Sequence, residues 1–414
     1  MRRQIISAAV IASCASTSAF AVDVGADTTI GGQAFFDFSY IKLQNENAAG
    51  TKVDTPPTGV GFDVKRFYLI VNHRFNDVWA ANLTTDAQFS TASTATVVTP
   101  AATTGGATGT TTALTSQNTS GGVTEVMIKK LYLEGKFAQG FVLHVGAYDT
   151  PWAPFVESLY GYRYIEKTTT DRLGFAQTAD WGINANGSFG SGDLVTYSAS
   201  VLNGGGYKNP TRTKDVDFEG RIGVKPLDWL TLGAGLYNGH LGQITATNEN
   251  FPQNKANRYD VVAGVNAAGL RLGIEYFEAK NYKTVNSLTV SAYGTSAIVG
   301  SSATARPASD RADGVSGWAS YNFTDQWSVF ARYDDTNLSK DVAPNLKDRY
   351  LHAGVAYKPI KQVDIALVYK NERVDHGSNT LSGANANGSY TIGGANTNRS
   401  GEFNEGGLYV QYRF

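Results

Sequence analysis

Residues 406–414 read Gly-Gly-Leu-Tyr-Val-Gln-Tyr-Arg-Phe. Leu408, Val410, Tyr412 and Phe414 alternate with Tyr409, Gln411 and Arg413, so an extended chain here would carry one apolar face and one polar-tipped face. Chain ends usually fray into small or charged residues. A terminal strand finishing on an aromatic needs a neighbour to hold it, and that need sets the fold to look for.

The same period of two recurs along the chain. Val363, Ile365, Leu367 and Tyr369 share a face opposite Asp364, Ala366 and Lys370, and the segments around Trp79–Phe89, Val216–Lys225, Leu270–Tyr276 and Trp327–Asp334 repeat the pattern. The links between segments alternate in length. Tight ones fall at Asn76–Asp77, Ala138–Gly140, Gly190–Ser191, Pro226–Asp228, Ala268–Gly269, Thr324–Asp325 and Pro359–Ile360. Between them lie long polar stretches near 42–59, 91–122, 151–176, 204–214, 242–256, 282–312, 339–346 and 374–401.

This layout predicts about sixteen strands, with short turns on one rim and long loops on the other, the signature of a bacterial outer-membrane barrel. A soluble sandwich or propeller would also bury one face of each strand, but nothing in it imposes this alternation of loop length. Closure matters because unpaired backbone groups are too costly in hydrocarbon. The expected fold is therefore an all-β, transmembrane antiparallel β-barrel with short periplasmic turns and long extracellular loops. Phe36, Phe38, Tyr40, Trp229, Phe323, Trp327, Tyr357 and Phe414 supply rings suited to the membrane interfaces.

Composition agrees. The 414 residues carry a net charge of only −1, which argues against a nucleic-acid partner, and no apolar run after the first twenty residues could cross a bilayer as a helix. Met1-Arg2-Arg3, the apolar run Ile5–Ala12 and Ser18-Ala19-Phe20-Ala21 read as a cleaved secretory signal over 1–21, leaving 22–414 as one barrel domain in the outer membrane. A second reading makes Ile11-Ala12-Ser13-Cys14 a lipoprotein site with Cys14 as lipid anchor. Cleavage after Ala21 would leave no cysteine, hence no disulfide.

Two loops stand apart. Residues 91–122 are almost entirely Thr, Ala, Ser and Gly, which reads either as an extracellular loop resting on a neighbouring subunit or as a surface insert without contacts. Residues 149–175, DTPWAPFVESLYGYRYIEKTTTDRLGF, are aromatic and charged at once. A loop this apolar should fold against something, and the surface available is the inner wall, so this third loop is expected to turn inward and narrow the lumen.

Phe62-Asp63-Val64-Lys65-Arg66-Phe67-Tyr68-Leu69, Gly146-Ala147-Tyr148-Asp149-Thr150-Pro151-Trp152 with Glu157, and the terminal strand together resemble the outer-membrane porins typified by the phosphate-selective porins O and P. The resemblance spans the mature chain in layout and these patches in wording. It implies a homotrimer of sixteen-stranded barrels with a basic constriction formed by the third loop. Arg66 matches the second basic position of the strand-two motif, whereas Glu166-Lys167 stands where many relatives have Glu-Arg, a departure that bears on phosphate selectivity. The ending also resembles the signature read by the barrel-assembly machinery, with Tyr412 and Phe414 as its aromatics.

Alternation places Arg66, Arg74, Lys130, Tyr132, Glu134, Lys136, Arg221, Arg271, Arg332, Lys370 and Arg413 on the inner face, with Asp37, Asp86, Glu219, Glu275 and Asp334. With Glu157, Arg163, Glu166, Lys167 and Arg172 from the third loop, these make a polar lumen of both signs. Arg66, Lys130, Arg163, Arg172 and Arg221 read either as an anion-attracting cluster or as cations that simply pair with wall carboxylates. Expected partners are outer-membrane lipid and lipopolysaccharide, and small hydrophilic solutes or anions. No cofactor or metal is expected. The five histidines, His73, His144, His240, His352 and His376, fit no hydrolase or zinc motif, which argues against an enzyme. The alternative function is an adhesin or receptor whose loops bind a partner while the barrel anchors it.

Overall fold

The computed structural model of the chain describes residues 22–25, 27–90, 123–210, 212–243, 255–282, 298–299, 306–307, 309–385, 388–394 and 398–414. The signal segment, Cys14 and the low-complexity segment 91–122 lie outside the described residues.

Sixteen antiparallel strands close into a single barrel. They are β1 (Thr28–Glu46), β2 (Lys52–Arg74), β3 (Trp79–Ser90), β4 (Val123–Ala138), β5 (Phe141–Asp149), β6 (Ala179–Phe189), β7 (Val195–Leu202) and β8 (Asp217–Leu227). The second half comprises β9 (Leu230–Gly239), β10 (Ala256–Ala267), β11 (Leu270–Lys280), β12 (Arg311–Asn322), β13 (Trp327–Asn337), β14 (Lys347–Ile360), β15 (Val363–Asp375) and β16 (Gly401–Arg413). Each pairs with the next, and β16 returns to β1 with Phe36 opposite Val410 and Gln33 opposite Arg413.

The terminal stretch is thus the closing seam. Phe414 exchanges both backbone hydrogen bonds with Gly32, at 2.9 and 3.1 Å. Its ring covers Gly32 so closely that a Cβ there would come within 2.4 Å of it. Alternation holds as expected: Leu408, Tyr412 and Phe414 are exposed on the outer wall, whereas Tyr409 and Gln411 are buried inside. Around the wall, Leu83, Leu131, Ile183, Ile222, Ile274 and Leu367 continue the exposed apolar surface. An apolar exterior on a closed barrel suits hydrocarbon and no aqueous phase.

Four details differ from the sequence reading. The first expected loop, 42–59, is mostly strand, because Leu43, Asn45 and Glu46 pair with Thr55, Val53 and Lys52. Asn47 closes the remaining turn, its Oδ1 accepting the N–H groups of Ala49 and Thr51 at 2.9 and 3.0 Å. The turns expected at Pro226–Asp228 and Pro359–Ile360 sit slightly later. Strands β8 and β14 run on through Leu227 and Ile360, with both prolines inside register irregularities, where a missing N–H costs no ladder bond. The last long loop, expected over 374–401, contains a hairpin of Ser378–Asn385 and Gly388–Gly393. That hairpin buries Leu381, Tyr390 and Ile392 against Leu43, Val374 and Phe403 of the wall and Leu173 and Phe175 of the third loop.

Two of the register irregularities are β-bulges that add a lysine to the inner face. Phe35 and Phe36 face Arg66 and Val64, leaving Lys65 as the extra residue; Thr84 and Thr85 face Lys130 and Ile128, leaving Lys129. A bulge re-aims one side chain without shifting the rest of the strand. Lys65 accordingly points inward beside Arg66, 3.1 Å from Asp37, 3.3 Å from Asp63 and 3.7 Å from Glu405.

Candidate constriction of the lumen

The third loop, between β5 and β6, turns inward as expected and carries two short helices, α1 (Ala153–Tyr160) and α2 (Thr169–Arg172). Pro154 sits in the first turn of α1, where a fixed φ suits the helix and its absent N–H is not needed. Gly161, at φ 82°, ends it in the left-handed conformation and donates its N–H to the Glu157 carbonyl. The base of the loop is tied by the Thr150 N–H to the Thr178 carbonyl at 3.2 Å.

From there the loop lies along the wall over β8 to β15. Trp152 is fully buried, donating its backbone N–H to Glu219 at 3.0 Å and its indole N–H to Glu275 at 2.8 Å. It rests on the bare backbone of β9: a Cβ on Gly235 would meet the Trp152 ring at 2.5 Å, and one on Gly233 would meet Phe155 at 2.4 Å. Further on, Tyr160 bonds His352 at 3.1 Å, Tyr162 stacks on Phe330 at 4.4 Å, and Lys370 donates to the Ile165 carbonyl at 2.9 Å. Arg332 grips Asp334 at 2.6 and 2.8 Å, Thr169 at 2.8 Å and the Lys167 carbonyl.

The end of α2 is held by charge. The Arg172 guanidinium reaches Asp348 at 3.0 Å, Asp334 at 3.4 Å and Glu372, all buried. Isolated burial of any one of these groups would be unfavourable, so the cation and the carboxylates hold one another in place.

Between the third and fourth loops and the wall of β2 and β4 is a cavity of about 240 Å³ lined by Arg66, Lys129, Arg163, Lys167, Asp171, Arg172, Tyr207, Lys208 and Thr380. Arg66 contacts Asp86 at 2.6 Å, and the fourth loop locks this pair, with the Tyr207 hydroxyl donating to Asp86 at 2.8 Å and receiving from Arg66 at 3.3 Å. Lys129 lies over the Tyr68 ring at 4.6 Å. Arg163 bonds Glu157 at 2.7 Å and reaches Asp171 at 3.9 Å. Burial, with Arg66 and Lys167 nearby, pushes the Lys208 ammonium down to about 8. Burial also lowers Lys167, and Arg66 and Arg163 lower it further against the opposing pull of Asp171.

Of the residues singled out in the sequence, Arg66, Arg163, Lys167 and Arg172 meet around this cavity. Glu157 and Glu166 stand behind them as partners, the first to Arg163 and the second to Lys370 at 3.2 Å. Burial alone would raise the Glu166 carboxyl, but Lys370 and Arg172 overcome it and hold it below the usual range. The others sit elsewhere. Lys130 pairs with Asp149 at 2.6 Å. Tyr132 packs edge-on to His144 and Tyr148, beside a separate cavity of about 310 Å³ near Arg74 and Asp27. Arg221 donates to the Pro151 carbonyl and Thr196 and lies over Phe155, and Arg332 is behind the loop; both anchor it. Tyr412 and Phe414 lie at the seam on the outer wall.

Lys129, Tyr207, Lys208 and Thr380 were not anticipated. For Lys129 a signal exists: Lys65-Arg66 and Lys129-Lys130 are adjacent basic pairs inside strands, and both mark bulges. Tyr207 and Lys208 come from a loop without periodicity, and Thr380 from the hairpin strand Ser378–Asn385 that was not foreseen.

No family model matches the chain, and no curated protein matches it. Among solved structures it is similar to the anion-selective porin from Comamonas acidovorans, at 13% identity over 94% of this chain and 99% of that one, with a TM-score of 0.57. OmpT of Vibrio cholerae, at 12% identity over 95% and 100%, and the DcaP channel of Acinetobacter baumannii, at 13% over 95% and 99%, each give a TM-score of 0.53. The fold is that of the bacterial outer-membrane porins. A porin-like barrel with an apolar outer wall and an inward third loop belongs in the outer membrane.

Proposed function

We propose that the protein is a water-filled outer-membrane channel for small hydrophilic solutes, with a preference for anions, phosphate among them. The observation that carries this reading is the cavity between the third and fourth loops and the wall of β2 and β4. Arg66, Lys129, Arg163, Lys167 and Lys208 converge on it from two strands and two loops, while Asp171, the Arg66-bound Asp86, the Arg163-bound Glu157 and Glu166 are the nearby acids. Such a field attracts anions, and spreading the charge over several weak contacts lets them leave again. The likeness in fold to an anion-selective porin agrees with it. The trimer implied by the porin O and P resemblance, the cleaved signal and the lack of enzymatic activity belong to the same proposal.

Planar-bilayer recording tests it. Ohmic single-channel steps and an anion-directed reversal potential in a salt gradient are expected. A folded, inserted protein without conductance would return the reading to a barrel-anchored adhesin or receptor.

A further inference from the structure

The cations around the cavity are not equivalent. Arg66, Arg163 and Arg172 keep their charge at any physiological pH. Lys167 and Lys208 do not share that permanence. Lys167 ends the irregular stretch before α2, and Lys208 follows Tyr207 in the fourth loop, so two independently anchored loops bring two lysines to one cavity. Both anchors are firm. The Lys167 carbonyl accepts from Arg332, and its N–H donates to Glu166 at 3.0 Å. The position of Lys208 is fixed by Tyr207, whose hydroxyl is bonded to Asp86 and whose N–H reaches the Ala179 carbonyl at 3.0 Å.

We propose that Lys167 and Lys208 are the selectivity-determining pair of the constriction, and that they make its anion preference adjustable by proton concentration, which an all-arginine constriction would not be. This rests on the anion-channel reading above. The charged groups facing the pair come from every neighbouring element. Arg66 of β2, Lys129 of β4 and Arg163 and Arg172 of the third loop repel it; Asp86 of β3 and Asp171 and Glu166 of the third loop attract it. Burial away from the water that would otherwise support the ammonium is the largest influence on both lysines, and for Lys208 the neighbouring Arg66 and Lys167 add to it.

The sign follows directly. Lys208 is a cation below about 8 and neutral above it, and Lys167 is displaced the same way, so rising pH removes positive charge from the constriction while the arginines stay. The departure from Glu-Arg at Glu166-Lys167 therefore replaces a permanent charge with a titratable one.

The test is the anion-to-cation permeability ratio of the full-length channel in a potassium chloride gradient, measured from pH 7 to 9.5. The wild type is expected to lose about twofold or more of its ratio across that window, and the Lys167→Arg/Lys208→Arg double variant to hold its ratio constant. A wild-type ratio that favours anions but stays flat to pH 9.5 would overturn the proposal and leave the anion channel standing. An equal fall in the double variant would overturn it as well. A wild type without anion preference at pH 7 would remove both readings together.

Discussion

The two sides of the barrel interior use charge in different ways. Over β8 to β15 the wall is acidic, and the cations that meet it are consumed by structure: Arg258 by Glu219 and Asp260, Arg332 by Asp334, and Arg172 by three carboxylates at once. Over β2 to β7 the wall carries small polar groups such as Thr84, Asn184, Ser198 and Ser200, and the cations gathered there border an open cavity. Arginine on one side is mortar, while on the other Arg66, held by a single carboxylate, borders a cavity. The difference lies in how many carboxylates each guanidinium meets and in whether a loop lies over it, which no single position in the sequence displays.

Breaking the covered side should give the largest effect. Arg172→Ala strands three buried carboxylates and should lower stability by about 3 kcal/mol, read as an earlier thermal transition in detergent together with noisy, enlarged current steps. An unchanged transition and quiet steps would mean that the clasp does not hold the loop. Next comes Gly235→Leu, whose side chain must displace Trp152 from β9. Loss of the indole bond to Glu275 should appear as a red-shifted tryptophan emission with higher conductance.

At the seam joining the two sides, deleting Phe414 removes the ring over Gly32 and both terminal backbone bonds. Folded, heat-modifiable barrel should form several-fold more slowly, whereas channels that do form should conduct normally; a conductance change without an assembly defect would contradict this. On the cavity side, Arg66→Gln removes the cation paired with buried Asp86 and should lower stability, though less than Arg172→Ala because the Tyr207 hydroxyl still bonds Asp86; it should reduce the anion-to-cation permeability ratio by about threefold. The smallest effect is expected from Arg221→Lys. It sits outside the cavity and anchors the loop, so the reversal potential should stay where it is, while loss of the forked contacts to Pro151 and Thr196 should lower stability by about 1 kcal/mol.

Much of this was legible in the chain. Period-two alternation oriented Tyr409, Gln411 and Leu408 correctly because one oily face leaves a strand no freedom of register. The apolar content of 149–175 revealed that the third loop must be covered. What escaped were features that depend on a partner: the hairpin at Ser378–Gly393, which has a buried side only because Leu173 and Phe175 are there, and Tyr207, which is meaningful only beside Asp86. Gly233 and Gly235 are the seat for two aromatic rings, which nothing in their own strand displays.

The bulges at Lys65 and Lys129 carry a consequence for how such a pore can change. Each adds an inward lysine without removing an outward apolar side chain, so the lipid-facing pattern on both sides is undisturbed. A single-codon insertion or deletion at either place would alter the lumen by one charge and leave the membrane fit intact. Length, as much as residue identity, then sets the charge on the inner wall at these two positions.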